Sequence, residues 1–150
     1  MTTPLRVLFL CTGNACRSQM AEGWARHLHA DKLEAYSAGV APAGVDPVAV
    51  QMMAEVGVDI SRHRSKHVAE FDGQAFDAVV ILCHYAAESC PNFPGQTRVI
   101  RRPFDDPVRL ARLAESPEAA LAIYRRVRDE IRDFVAGLPE LLASSKPGSY

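Results

Sequence analysis

An apolar run that ends in a glycine-containing turn and continues as an amphipathic helix is the feature that most constrains this fold. Residues 5–10 read Leu-Arg-Val-Leu-Phe-Leu, which is typical of a strand buried on both faces of a sheet. The turn Thr12-Gly13-Asn14 follows, and apolar side chains then recur at helical spacing over residues 17–29. This part of the chain is therefore predicted to be a strand, a tight turn and a helix.

The rest of the chain alternates between the apolar patterns of strands and those of helices. Further strands are predicted over residues 33–38, 76–82 and 97–100, and further helices over residues 47–56 and 116–138. Strands joined through helices form a parallel sheet with helices on both faces. The predicted fold is a three-layer α/β/α sandwich with a four-stranded parallel sheet. Ligands of such sheets bind at the carboxyl ends of the strands, where we expect Cys11 and Cys83.

Composition limits the domain organisation and the class of partner. With 150 residues, 48% of them hydrophobic and 23% charged, the chain has the size and balance of one globular domain, which we place over residues 1–142. Residues 143–150 lack periodicity and are expected to form a flexible tail. A formal net charge of -1 argues against a nucleic-acid or anionic membrane surface, and the opening apolar stretch is shorter than we expect for a signal-peptide core. We therefore expect a cytoplasmic monomer.

Residues 11–18, which read Cys-Thr-Gly-Asn-Ala-Cys-Arg-Ser, carry the clearest chemistry. A loop of this length between a strand and a helix can wrap its backbone N–H groups around one tetrahedral anion. Arg17 can bind two oxygens of that anion, and the same field favours a thiolate at Cys11, to which Ser18 can donate a hydrogen bond. A nucleotide phosphate loop is excluded because no Gly-Lys-Ser/Thr follows, whereas a merely buried cysteine remains an alternative. The predicted substrate-binding residues are Thr12, Gly13, Asn14, Ala15, Cys16, Arg17 and Ser18.

Residues 11–23, CTGNACRSQMAEG, resemble the low-molecular-weight protein tyrosine phosphatase superfamily. The continuation SQMAE over residues 18–22 is similar to the thioredoxin-coupled arsenate reductases, whereas phosphatases of the superfamily usually carry proline at the position of Gln19. The resemblance covers nearly the whole chain. It implies a sandwich of the phosphotyrosine phosphatase I type. We expect no cofactor and no resident metal.

Cys83 and Cys90 form a second pair of thiols after the third predicted strand. If the residues between them were helical, the two Cα atoms would lie roughly 10 Å apart, so a disulfide would require local unwinding, which Pro91 favours. Structural zinc fits this spacing poorly, and incidental cysteines remain an alternative. The resemblance implies a relay in which Cys83 attacks Cys11, Cys90 attacks Cys83, and thioredoxin reduces the final disulfide.

Asp106-Pro107 follows the fourth predicted strand and matches the Asp-Pro of the superfamily, whose aspartate protonates the departing group. The neighbouring Asp105 is an alternative acid, and a turn-capping role is an alternative for both. The resemblance also implies a support site beside the loop, where some relatives hold potassium with residues matching Asn14, Glu22 and Ser37. Lys66 stands in place of their aspartate, so we expect its ammonium group to pair with Glu22, unless it is solvated.

The expected function is the reduction of arsenate to arsenite by thioredoxin-dependent thiol chemistry, with phosphate and sulfate as competing oxyanions. The alternative is a phosphatase that hydrolyses phosphate monoesters through a phosphorylated Cys11. Val108-Arg109 argues against it, because phosphatases of the superfamily show tyrosines there. A non-catalytic oxyanion sensor would leave the second thiol pair without a role. The predicted catalytic residues are Cys11, Arg17, Cys83, Cys90 and Asp106.

Overall fold

The computed structural model describes residues 3–83 and 97–144, and it confirms the predicted three-layer α/β/α sandwich. The strands of the described chain form one sheet, in which every neighbouring pair is parallel and the order is β2-β1-β3-β4. Their bounds are β1 (Leu5–Cys11), β2 (Leu33–Gly39), β3 (Ala78–Ile81) and β4 (Arg98–Arg101). Because β1 is a central strand, its carboxyl end at Cys11 lies between the carboxyl ends of β2 and β3.

Five α-helices lie within the described residues. They are α1 (Arg17–Leu28), α2 (Pro47–Glu55), α3 (Pro107–Arg112), α4 (Pro117–Ala136) and α5 (Leu138–Ala143), and a 3-10 helix spans Val68–Phe71. The long helix α4 packs against α1, α2 and α3. Arg128 of α4 joins the first two, since its carbonyl oxygen accepts from Trp24 Nε1 and its guanidinium donates to the carbonyl oxygen of Met52. No described helix is long and apolar enough to cross a membrane.

The first strand is buried as its sequence predicts. Residues 7–10 of β1 have no exposed surface, because the helical layers cover both faces of the sheet. At roughly 25 cal/mol per Å² of apolar surface, such burial is the main term that stabilises the fold. The active-site loop therefore starts from the most constrained part of the sheet.

Several predicted boundaries were wrong, and one helix was missed. The third strand covers only 78–81, where it pairs with β1, and β4 lies one residue later than predicted. Gly137 interrupts the last predicted helix, so that α4 ends at Ala136 and α5 follows. The short helix α3 was not predicted. Of the predicted tail, Ala143 belongs to α5, and residues 145–150 lie outside the described residues.

Candidate active site

The loop between β1 and α1 is held by its carbonyl oxygens. Thr12, Gly13 and Ala15 accept hydrogen bonds of 2.8, 2.9 and 2.9 Å from backbone N–H groups within residues 41–46. In the chain as described, the backbone N–H groups of residues 13–17 donate to no other protein group. Five amide donors in consecutive residues are thus available to a ligand, which is the property that an anion-binding loop needs.

Asn14 fixes the direction of the hydrogen bonds beneath this loop. It is buried and has a φ of 47°, a left-handed conformation that asparagine tolerates better than most residues. Its Oδ1 accepts from the backbone N–H of Lys66 at 2.8 Å, so its Nδ2 must be the group that donates to Ser18 Oγ at 2.7 Å. Ser18 can then direct its own hydrogen to Cys11 Sγ, 2.9 Å away. This bond stabilises negative charge on the sulfur of Cys11.

Arg17 and Asp106, two predicted catalytic residues, are brought together by α1 and α3. Arg17 is 8% exposed, and its Nη1 donates to the carbonyl oxygen of Phe104 at 3.0 Å. Its Nη2 lies 3.8 Å from Asp106 Oδ2. The other carboxylate oxygen of Asp106 accepts from Val108 N–H at 3.0 Å and caps α3. Asp106 can therefore cap α3 and also act as the acid, because each role uses a different oxygen of its carboxylate.

Asp105 is placed differently from its neighbour. Its carboxylate forms an exposed ion pair of 3.0 Å with Arg126 of α4. Asp106 faces the buried guanidinium of Arg17, so it is the better placed of the two to act on an anion held by the loop.

Cys83 lies at the same edge of the sheet. Its Sγ accepts a hydrogen bond of 3.2 Å from Thr12 Oγ1, the side chain that follows Cys11. Thr12 and Cys83 line a cavity of about 390 Å³, and its walls also include Arg17, Asp105, Asp106 and Arg109. The structure thus places Cys83 against the anion loop, as the parallel sheet predicts. Cys90 and Pro91 lie outside the described residues.

Cys16 is a buried thiol within the loop. Its Sγ lies 4.0 Å from Met20 Sδ, and burial, with the nearby carboxylate of Asp46, raises the pKa of Cys16 well above its usual value. The thiol is therefore protonated near neutral pH, which makes it a poor nucleophile.

The support site differs from the expectation. The carboxylate of Glu22 accepts from Ser37 Oγ at 2.7 Å and pairs with Arg26 at 3.1 Å, whereas Lys66 Nζ donates to the carbonyl oxygen of Arg64 at 2.8 Å. The expected close ion pair between Lys66 and Glu22 does not form, although the negative charge of Glu22 still favours the charged form of Lys66. Arg26 lies four residues after Glu22 on the same helix, so it reaches the carboxylate at little entropic cost.

Two long-range contacts that sequence reasoning missed also hold the loop. Gln19 donates to Asn14 and accepts from His63 Nδ1 at 2.9 Å. The sequence signal for a special role of Gln19 was that it stands where the phosphatases usually carry proline. Tyr124 donates to the carboxylate of Asp46 at 2.5 Å, and the backbone N–H of Asp46 donates to Ala15. Tyr124 fitted the apolar stripe of its helix, so nothing in the sequence marked its hydroxyl.

A family model described as low molecular weight phosphotyrosine protein phosphatase matches residues 6–147. The chain belongs to this family. An arsenate reductase of Halalkalibacterium halodurans is 46% identical over 125 residues, which cover 83% of this chain and 88% of that protein. Among solved structures, an arsenate reductase in its oxidized state is 31% identical, with a TM-score of 0.73 over 91% of this chain and 98% of the other. A low-molecular-weight protein tyrosine phosphatase from T. tengcongensis is 29% identical, with a TM-score of 0.68 over 91% and 99%.

Proposed function

We propose that this member of the family is an arsenate reductase that works through Cys11, Cys83 and Cys90. One observation carries the proposal: Cys83 lines the cavity that also contains Arg17 and Asp106. Hydrolysis of a phosphate ester ends with water and needs no second thiol, whereas reduction of a thiol adduct requires one. The 46% identity to an arsenate reductase supports the same assignment.

The first step forms a bond between Cys11 and arsenic. The amide groups of residues 13–17 and the guanidinium of Arg17 hold arsenate, and the Cys11 thiolate attacks the arsenic atom. Hydroxide is a poor leaving group at neutral pH, so Asp106 gives its proton to the departing hydroxyl, which leaves as water. The product is a covalent thiol–arsenate adduct with arsenic still in its pentavalent state.

The second step carries the electrons. Cys83 loses its proton and attacks the sulfur of Cys11, and the electron pair of the sulfur–arsenic bond passes to arsenic, which leaves as arsenite. One disulfide forms and two electrons are transferred, which balances the change from arsenic(V) to arsenic(III). Cys90 then attacks Cys83, which frees Cys11 as a thiolate. The remaining disulfide between Cys83 and Cys90 is the substrate of thioredoxin.

The surroundings of the reaction follow from this chemistry. Phosphate and sulfate are also tetrahedral anions, so they compete for the loop. The relay starts from reduced thiols, which fits the reducing cytoplasm. We place the whole reaction in one domain over residues 1–142, which contains Cys11, Arg17, Cys83 and Asp106, and in a monomer.

The experiment that tests the relay replaces each of its later cysteines. Cys83→Ser and Cys90→Ser should each abolish multiple turnover of arsenate with thioredoxin, because each removes a thiol that a later step needs. Both variants should still hydrolyse p-nitrophenyl phosphate at the slow wild-type rate, which serves as an internal control for folding. If both variants turn over arsenate normally, the relay is wrong and the phosphatase alternative gains.

A further inference from the structure

We propose that Arg109 is a second cation of the oxyanion site and that it selects a free inorganic oxyanion over a phosphate ester. The inference rests on the proposed function, because it names a specificity-determining residue of the same cavity. Arg109 belongs to the first turn of α3, three residues after the cap Asp106. It lines the cavity together with Arg17 and Cys83.

Among the described residues, no carboxylate pairs with Arg109. Both carboxylates of the cavity already have partners, since Asp105 pairs with Arg126 at 3.0 Å and Asp106 lies 3.8 Å from Arg17. Within residues 3–83 and 97–144, Arg109 forms no hydrogen bond and no ion pair, and its side chain is exposed. An arginine at the mouth of an anion site that has no partner in the described part of the chain is available to the ligand.

The site needs this second positive charge. In the proposed mechanism the incoming oxyanion meets a thiolate at Cys11, so two like charges approach each other at a residue that is only 2% exposed. Arg17 carries only one positive charge, and its Nη1 already donates to the carbonyl oxygen of Phe104, so a second cation offsets more of the combined negative charge. Arg109 lies in the cavity wall near the solvent and can bind the oxygens that face away from the loop.

The same position explains how the substrate is selected. A free arsenate or phosphate presents charged oxygens toward the cavity mouth, and a guanidinium there forms charge-assisted hydrogen bonds with them. A phosphate ester presents its organic group on that side, so the guanidinium gains little from it. Tyrosines at this position would instead pack against an aryl group, and this chain has Val108 and Arg109 there.

The test compares Arg109→Gln with a matched control, Arg112→Gln, which removes another exposed arginine from the same helix. Calorimetry with inorganic phosphate should show that Arg109→Gln raises Kd roughly tenfold or more, the size expected for a charge-assisted hydrogen bond. The KM for arsenate should rise similarly and kcat should change less than about twofold. The KM for p-nitrophenyl phosphate should change less than about twofold, Arg109→Lys should recover part of the phosphate affinity, and Arg112→Gln should match the wild type.

Wild-type affinity for phosphate in Arg109→Gln would overturn the proposal. An equal rise of KM for arsenate and for p-nitrophenyl phosphate would overturn the selection it describes. The phosphate measurement does not depend on turnover. If the wild-type protein reduces no arsenate but its phosphate affinity still depends on Arg109, the proposed function fails and the anion-binding role of Arg109 is supported.

Discussion

Ser18 shows how a single residue connects the loop to its nucleophile. Its oxygen accepts from Asn14 at 2.7 Å, so its hydrogen is free to point at the Cys11 sulfur, 2.9 Å away. Asn14 in turn is held by the backbone N–H of Lys66. A chain of three hydrogen bonds thus sets which atom donates to the sulfur.

The variant Asp106→Asn tests whether this residue is the proton donor. Asparagine caps helices as well as aspartate does, so α3 should remain, but the amide cannot give a proton to the departing oxygen. We expect kcat/KM for arsenate to fall by about 10²- to 10⁴-fold in steady-state assays with thioredoxin. Asp105→Asn is the matched control and should stay within about twofold of the wild type, because the Asp105 carboxylate pairs with Arg126. The opposite ranking of the two variants would make Asp105 the acid.

The residues that we propose to carry the chemistry have local signals in the sequence. Cys11, Arg17 and Ser18 lie within one loop, and Asp106 is marked by the proline after it. Tyr124 and its acceptor Asp46 are 78 positions apart, and no local pattern records such a contact. The closer pairing of Glu22 with Arg26 was not predicted, because a resemblance does not say which of several cations lies nearest to a carboxylate.

At the scale of elements, the backbone at the end of β2 packs closely against the backbone of the active-site loop. A Cβ on Gly39 would lie 2.6 Å from the carbonyl oxygen of Thr12 and 2.8 Å from the backbone nitrogen of Asn14. Both are backbone atoms of the loop, so they cannot move aside without displacing its amide groups. The close approach of β2 to the loop thus depends on the absence of a side chain at this position.

Gly39→Ala is therefore expected to weaken anion binding. Calorimetry should show that the Kd for phosphate rises at least tenfold, and thermal unfolding should show a loss of about 1–3 kcal/mol in stability from overpacking. Gly137→Ala is the control, because the nearest atom to a Cβ there is 4.0 Å away. Wild-type phosphate affinity in Gly39→Ala would contradict the geometry described for the loop.

The contact between α4 and α2 gives a prediction that depends on pH. Burial and the bond to Asp46 raise the pKa of Tyr124 above its usual value of about 10. Tyr124→Phe should lower the free energy of unfolding by about 1–2 kcal/mol at pH 7 in urea titrations. Because the folded pKa is the higher one, this difference should be constant below about pH 10 and should shrink as the pH rises further, when the tyrosine of the unfolded wild-type chain ionises. A difference that grows above pH 10 would contradict the assignment.

The short helix α3 was missed although its signals are present. Asp106 is a good cap and Pro107 suits the first helical position, but both were assigned to the acid motif instead. The break at Gly137 was missed because the apolar stripe of α4 continues through Leu138, so the sequence pattern shows no end of the helix there. Local signals give the type of an element more readily than its ends, which packing decides.

At the scale of the whole molecule, the parallel sheet collects residues that are far apart in sequence. Leu10 of β1 pairs with Ile81 of β3, so Cys11 at the end of β1 and Cys83 just after β3 lie at one edge of the sheet. The chain after β4 brings Asp106 to the same cavity. This convergence was predictable from strand order alone, because carboxyl ends of parallel strands meet. The sequence did not predict which helices would pack on α4, because this packing depends on contacts such as that of Trp24 with Arg128.

The most direct test of the relay counts thiols during a single turnover. Reduced protein is mixed with excess arsenate and no external reductant, and free thiols and arsenite are measured together. We predict the loss of two thiols for each arsenite formed, with mass spectrometry locating the disulfide between Cys83 and Cys90. Formation of arsenite without this loss, or no arsenite at all while p-nitrophenyl phosphate is hydrolysed, would contradict the account.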